Sequence, residues 1–277
     1  AEACKVPGRL YLGEPLSVVN NLNMDLIRNE YANMLMVGSD SDKARSMFAF
    51  SMLSLAINYW VSHNKKAPDE PFIYFLNYKP LRDNYFVDAP GLLATKLLTK
   101  YVKNIPISNS SEIKNTIQKL YSASLNPQSS AVSENKYLMV FGYQRAEDLK
   151  SEDKAAEKQD IMSMMSLRNQ GPTHSMKEMI EVILTMGAQN GIHSIFWQDD
   201  FKALDFADRK LITYFYQKIA FDMSKEDYSQ FVGVNDISQF GENTAVYNNR
   251  IDDTRSFRPY QSPDKEWLET VCESLNQ

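Results

Sequence analysis

The sequence predicts an α/β fold with a mostly parallel central sheet flanked by helices. Short continuous apolar runs, typical of strands buried on both faces, alternate with segments whose apolar residues recur at helical spacing. The connections between successive runs are long enough for the crossovers that parallel strands require. The 277 residues are 43% hydrophobic and 23% charged, which fits a folded chain and excludes one disordered throughout.

The first half of the chain holds the clearest strand–helix pairs. Residues 6–18, with two prolines and two glycines, predict short edge strands and turns. Asn33–Gly38 is an apolar run predicted to be a buried strand, and the polar residues after it can cap a helix. The remaining elements predicted here are a helix at Lys43–Ser62, a strand at Phe72–Leu76, and helices at Gly91–Lys103 and Ser111–Ser124.

The second half continues the alternation. Residues 126–135 predict a polar loop, and the charged residues 150–158 predict either a solvated helix face or a mobile insertion. The predicted strands are Tyr137–Phe141, Gly191–Trp197, Lys218–Asp222 and Thr244–Tyr247. The predicted helices are Met176–Gly187, Lys202–Tyr216 and Asp264–Leu275.

Charge and cysteine content narrow the classes of function. The net charge is −5, so we expect at most weak, salt-sensitive nucleic-acid binding, although a local basic face stays open. Two distant cysteines, Cys4 and Cys272, and three histidines argue against a zinc site and favour a reduced, cytoplasmic setting. No apolar run approaches the ~20 residues of a membrane span. The N-terminal residues have no basic region followed by an apolar core, so we do not expect them to be a signal peptide. The chain starts with Ala1, so we expect a segment of a longer protein or a processed product.

The junction between the first long strand and the first long helix is where a phosphate-binding loop would lie. Such a loop has the sequence G-x-x-x-x-G-K-[ST]. Counted from the first Gly, the positions of the second Gly, the Lys and the Ser/Thr are all occupied here by other residue types. Two acids in the segment would also repel phosphate. We therefore interpret it as a capped turn, with weak ATP and Mg²⁺ binding as the alternative. The segment consists of Gly38, Ser39, Asp40, Ser41, Asp42, Lys43, Ala44 and Arg45.

The strand at Tyr137–Phe141 ends where a Walker B motif would place Asp–Glu to hold Mg²⁺ and activate water. Gly142 and Tyr143 stand there instead and can do neither. Glu147 and Asp148 follow and could reach back toward the strand end. The simpler interpretation is that they lie in the first turn of a helix and favour its dipole.

Polar residues also lie at the C-terminal end of the strand predicted at Gly191–Trp197. His193, inside that strand, is interpreted as a core histidine rather than a catalytic base. Gln198, Asp199 and Asp200 follow at the carboxyl end, the edge where ligands bind in open α/β sheets. The two aspartates could equally cap the next helix, which is the simpler interpretation.

Five segments together resemble one family. Asn33–Gly38 resembles the P-loop strand of FtsK/SpoIIIE-type ATPases. Gly187–Asp199 is similar to their Gly-Ile-His strand, and Lys218–Asp227 to the strand after it. Phe240–Tyr247 and Phe257–Tyr260 resemble the tail of large bacterial proteins that carry several such modules.

The resemblance runs in order from about Gly8 to Leu275. It implies a RecA-like P-loop NTPase fold, a hexameric or tandem-ring parent, and ATP-driven movement of DNA or, in type VII secretion relatives, of protein. The family's glutamine corresponds to Asp199, with Gln198 one place early, so these two form a sensor-like strand end. We expect one domain over 1–277, with an N-terminal β decoration (1–32), a RecA-like core (33–225) and a C-terminal extension (226–277).

The expected function is a degenerate, non-hydrolysing module of a DNA-translocase-like protein, without a bound cofactor and with a structural, regulatory or docking role. Its expected partners are other ATPase modules of the same polypeptide or ring, and DNA or protein cargo through the parent. One alternative is an active or weakly active ATP-binding DNA translocase motor that uses Lys43, Arg45 and Glu147. Another is a substrate-docking domain of a type VII secretion-like ATPase.

Overall fold

A computed structural model describes residues 8–16, 22, 24–78, 88–126, 134–152, 174–202, 206–233, 243–249 and 254–276. The strands are β1 (Arg9–Leu10), β2 (Gly13–Pro15), β3 (Met24–Asp25), β4 (Met34–Val37), β5 (Ile73–Asn77), β6 (Val102–Ile105), β7 (Lys136–Phe141), β8 (Ile192–Gln198), β9 (Gln217–Ala220), β10 (Ala245–Asn249) and β11 (Arg255–Pro259). The helices are α1 (Ser41–Ser62), α2 (Ala89–Leu92), α3 (Ser110–Leu125), α4 (Met176–Met186), α5 (Phe206–Leu211), α6 (Lys225–Val232) and α7 (Lys265–Asn276).

Nine strands form one sheet in the order β2-β11-β10-β9-β4-β8-β7-β5-β6. The strands from β9 to β6 are parallel to one another, whereas β10, β11 and β2 extend the sheet in antiparallel fashion. Strand β4 lies between β9 and β8, with Val37 beside both Ala220 and Gln198. The predicted mostly parallel sheet is confirmed. Its strand order brings the ends of β4, β7 and β8 together.

The sheet is buried on both faces, which explains why its central strands are apolar throughout. Met34 and Met36 of β4 pack in a core with α1 and α7, whereas Leu35 and Val37 face a second core with α3, α4 and α6. All four side chains are almost completely buried. Alternating apolar and polar residues would have placed polar groups in one of these cores.

The helix predicted at Gly91–Lys103 is wrong in its second half. Helix α2 passes into a π-helical turn at Leu93–Leu97, and the chain then forms the edge strand β6. Contacts distant in sequence decide this: the Tyr101 carbonyl accepts from the Ile73 amide, and the Tyr101 hydroxyl donates to the Leu275 carbonyl. The local sequence could not reveal either contact.

Other boundaries also differ from the predictions. Of the helix predicted at Lys202–Tyr216, the described residues 206–216 form only α5 and a 3-10 turn at Ile212–Tyr214, because the chain must turn into β9. Strands β3 and β11 were not predicted. Residues 127–133 of the polar loop, 153–158 of the charged segment and Cys4 lie outside the described residues. In the described ranges, no helix combines the length and the hydropathy that crossing a bilayer requires.

Candidate functional site at the carboxyl edge of the sheet

The carboxyl edge of the sheet brings together the three segments that the sequence singled out. The Gly38 amide donates to the carbonyl of Gln198 at 3.0 Å, which joins the ends of β4 and β8. The Gly142 amide donates to the carbonyl of Trp197 at 3.1 Å, which joins the ends of β7 and β8. The loops after these strands therefore form one continuous surface.

Gly38 is required by the close packing of this turn. Its φ of +139° is a conformation that L side chains rarely adopt. A Cβ at this position would lie 2.5 Å from the Cβ of Phe221. The carbonyl of Gly38 accepts from the indole nitrogen of Trp197 at 3.2 Å. The protein's own packing thus accounts for the glycine.

Asp40 caps α1 and also holds Lys43. One carboxylate oxygen accepts from the Lys43 amide at 3.0 Å, and the other lies 3.0 Å from the Lys43 ammonium. Burial raises the pKa of Asp40, but the hydrogen bonds and charge of Lys43 outweigh it and lower the pKa below its ordinary value. The predicted helix cap is confirmed. Ser39 lies exposed at the surface, and Ala44 is fully buried.

Arg45 lies where a phosphate-binding loop has Ser or Thr, and it is surrounded by acceptors. One guanidinium nitrogen lies 2.7 Å from Asp42 and 3.2 Å from the Ser41 hydroxyl. Its Nε lies 3.6 Å from a carboxylate oxygen of Asp88, which also caps α2. Arg45 therefore connects the start of α1 to the start of α2.

The end of β7 carries no acid next to the strand. Gly142 is left-handed, with a φ of +84°, and a Cβ there would approach the Tyr78 carbonyl at 3.1 Å. Tyr143 is buried, with its ring 5.1 Å from that of Phe196. Neither residue offers a ligand for Mg²⁺.

The helix expected to start at Glu147 and Asp148 is wrong. A single 3-10 turn at Tyr143–Arg145 is followed only by hydrogen-bonded turns, because the segment packs against the strand ends. Asp148 accepts from the Tyr78 hydroxyl at 2.9 Å, while Glu147 is exposed. Burial and the neighbouring carboxylate raise the pKa of Tyr78, so its hydroxyl stays protonated. Asp148 is thus engaged within the protein.

The polar groups at the end of β8 are bonded within the protein, except for the buried side-chain oxygen of Gln198, which has no hydrogen-bond partner among the described residues. Gln198 is fully buried, and its amide nitrogen donates to the Asp200 carbonyl at 2.7 Å. Asp199 pairs with Arg145 at 2.9 Å, and the Asp200 side chain accepts from the Lys202 amide. The interpretation of the two aspartates as helix caps stays a prediction, because residues 203–205, which lead into α5, lie outside the described residues.

His193 lies toward the other end of β8 and is a core residue, as the sequence indicated. It is fully buried, its Nδ1 lies 2.8 Å from the Ala32 carbonyl, and its ring stacks on that of Tyr137. Burial lowers the pKa of His193 to about 4, so the ring is neutral at physiological pH.

A cleft of about 500 Å³ opens beside the start of α1. Sequence reasoning did not identify it, although its wall includes the Phe-Arg-Pro-Tyr segment that carried part of the resemblance. The Lys43 charge at its margin is already paired with Asp40. The cleft is lined by Lys43, Ser46, Asn243, Arg258, Tyr260 and Gln261, among others.

No protein-family model and no curated protein matches the chain, whereas many solved structures do. The cytoplasmic domain of the type VII secretion ATPase EccC from Thermomonospora curvata is 12% identical with a TM-score of 0.61, over 99% of this chain and 32% of that one. EssC (ATPases 2 and 3) from Geobacillus thermodenitrificans is 11% identical with a TM-score of 0.59, over 98% and 49%. The pCW3 conjugation coupling protein TcpA, with ATPγS, is 9% identical with a TM-score of 0.63, over 98% and 71%.

The chain spans between about a third and a half of the EccC and EssC chains. At these identities the likeness concerns the fold alone. These structural neighbours are FtsK/SpoIIIE-type P-loop ATPases. The chain thus has their fold, a RecA-like α/β domain whose mostly parallel sheet is flanked by helices.

Proposed function

We propose that the chain is a non-hydrolysing FtsK/SpoIIIE-like ATPase module with a structural, regulatory or partner-docking role. The observation that carries the proposal is the contact between Asp40 and Lys43. A phosphate bound at the start of α1 would accept hydrogen bonds from helix amides and from the loop lysine. The Asp40 carboxylate already accepts from the amide and the ammonium of Lys43, so an internal anion takes that place.

The rest of the carboxyl edge supports the same conclusion. Hydrolysis needs a carboxylate to hold Mg²⁺ and a group to orient water. Gly142 and Tyr143 follow β7, the nearby Asp148 is bonded to Tyr78, and Asp199 is paired with Arg145. An active motor would have to break these pairs before it could bind Mg²⁺–ATP.

A docking role has a precedent among the structural neighbours. EccC (ATPases 2 and 3) from Thermomonospora curvata, 10% identical with a TM-score of 0.59, was solved in complex with a signal sequence peptide. A module released from hydrolysis can keep such a role, because docking needs only a stable, shaped surface. The partners proposed for this chain are other ATPase modules of the same polypeptide or ring, and cargo through the parent protein.

The proposal is tested by measuring ATP turnover and ATP binding with the purified chain in Mg²⁺. We expect no turnover above the buffer background and no saturable binding at millimolar ATP. A turnover in the ordinary enzymatic range of ~1–10³ s⁻¹, lost in Lys43→Ala and kept in the surface control Lys114→Ala, would overturn it.

A further inference from the structure

Three aromatic rings form a ridge on the outer side of α1. The Phe50 ring lies 5.0 Å from that of Tyr260 and 6.1 Å from that of Trp267. Trp267 is 45% exposed, more than any other aromatic residue in the part of the chain that the structure describes. We call Phe50, Tyr260 and Trp267 the aromatic ridge. Tyr260 also lines the 500 Å³ cleft, so the ridge and the cleft are continuous.

The backbone beneath the ridge is fixed by hydrogen bonds. The Tyr260 amide donates to the Leu12 carbonyl at 3.0 Å, and the Tyr260 carbonyl accepts from the hydroxyl of Ser46 on α1. The Trp267 amide donates to the side chain of Asp264 at 2.8 Å, which caps the start of α7. A surface held in this way loses little conformational entropy when a partner binds.

Acidic side chains surround the ridge. Asp264, Glu266 and Glu269 flank Trp267 on α7 and the turn before it, and Glu14 lies on the Tyr260 side. The pairing of β2 with β11 places Glu14 opposite Arg258, two residues before Tyr260. Burial raises the pKa of Tyr260, and the charge of Glu14 adds to this. The nearby cations are Lys265, which pairs with Glu269 at 3.6 Å, and Arg258. In the adjoining cleft, Lys43 is paired with Asp40, so this pair adds no net charge. The four carboxylates around the ridge outnumber its two cations, and the rim is therefore net negative.

We propose that the aromatic ridge and the adjoining cleft dock a basic segment of a partner protein, one that carries Lys or Arg beside an apolar anchor. Charge complementarity selects this occupant, since cations are attracted both by the carboxylates and by the faces of the aromatic rings. Trp267 is exposed and Tyr260 partly exposed, and Trp and Tyr are among the side chains that supply most binding energy at protein interfaces. Nucleic acid and anionic membranes are repelled by the same rim. The proposal specifies the chemistry of the partner in the docking role proposed above, and it rests on that proposed function.

The test uses two fluorescein-labelled amphipathic peptides of equal length, one of Leu and Lys and one of Leu and Glu. Their affinities for the whole chain are measured by fluorescence anisotropy at physiological salt. We expect the Leu–Lys peptide to bind at least about tenfold more tightly than the Leu–Glu peptide. Trp267→Ala should weaken Leu–Lys binding about tenfold, and the exposed Ile107→Ala, away from the ridge, should leave it unchanged.

A second variant tests the charge of the rim without changing a packed aromatic side chain. Glu14→Lys combined with Glu266→Lys changes only exposed groups, and its folding is checked by circular dichroism. It too should weaken Leu–Lys binding about tenfold. Equal affinity for the two peptides, or wild-type affinity in both variants, would overturn the proposal. So would self-association that Trp267→Ala abolishes, since the occupant would then be a second copy. ATP turnover with intact peptide selectivity would instead overturn only the non-hydrolysing assignment.

Discussion

The carboxylate of Asp40 accepts a hydrogen bond from the amide of Lys43 and forms an ion pair with its ammonium at the start of α1. In a working phosphate-binding loop these donors would meet an anionic ligand. Here the anion is a side chain of the same turn. The turn is therefore complete without a ligand, and its stability depends on Asp40.

Replacement of Asp40 tests this dependence. Asp40→Ala removes the helix cap, so the free energy of unfolding should fall by about 1 kcal/mol. Asp40→Asn keeps a capping oxygen and should cost only a few tenths of a kcal/mol, in spite of the lost charge. Urea denaturation of the two variants beside the wild type measures both values. Equal effects of Ala and Asn would show that the cap contributes nothing.

Nucleotide should leave thermal stability nearly unchanged. A ligand present at its dissociation constant would add about 0.4 kcal/mol, or roughly 1 °C in a chain of this size. We expect a smaller shift of the melting temperature at millimolar ATP with Mg²⁺, measured by differential scanning fluorimetry. A rise of several degrees, abolished by substituting Gly38 and Lys43, would identify a nucleotide-sensing module instead.

Substitution of Gly38 should be far more damaging than substitution of a glycine in open space. Both Gly38 and Gly233 have positive φ, but a Cβ at Gly233 meets nothing within 4 Å, whereas one at Gly38 meets Phe221. Gly233→Ala should cost about 1 kcal/mol through backbone strain alone. Gly38→Ala should cost at least about 2 kcal/mol more, because Phe221 must also move. Chemical denaturation of both variants gives the difference, and a difference near zero would contradict the packing argument.

His193 should make the fold sensitive to acid. Its pKa falls from 6.5 to about 4 on folding, so between these values the unfolded chain binds more protons than the folded one. Stability is therefore complete above pH 6.5 and declines as the pH falls toward 4, by at most about 3 kcal/mol from this group.

The matched variant for this effect is His193→Asn, which cannot titrate. It should be less stable than the wild type at neutral pH, because the buried ring is lost. Its unfolding free energy should depend less steeply on pH between 6.5 and 4 in urea titrations. Identical slopes for the two proteins would assign the acid sensitivity to other groups.

The sequence by itself determined the central strands and the nature of the turn after β4. Runs such as Met34–Val37 are apolar at every position because both faces of the strand are buried, and no other strand arrangement demands that pattern. The cap by Asp40 is equally local, since it joins residues three positions apart. Local chemistry of this kind is visible without knowing the fold.

Only the tertiary structure determined that an edge strand, β6, forms and that ion pairs join the loops at the carboxyl edge of the sheet. Val102–Ile105 forms a strand because β5 supplies its hydrogen-bond partners, against the prediction of a helix that continues to Lys103. Arg45 meets Asp88, and Arg145 meets Asp199, only because the parallel order of the strands brings distant loops to one edge. Charged residues that are far apart in sequence form ion pairs because the strand order brings their loops together. The strand order itself depends on which surfaces pack together rather than on any local sequence pattern.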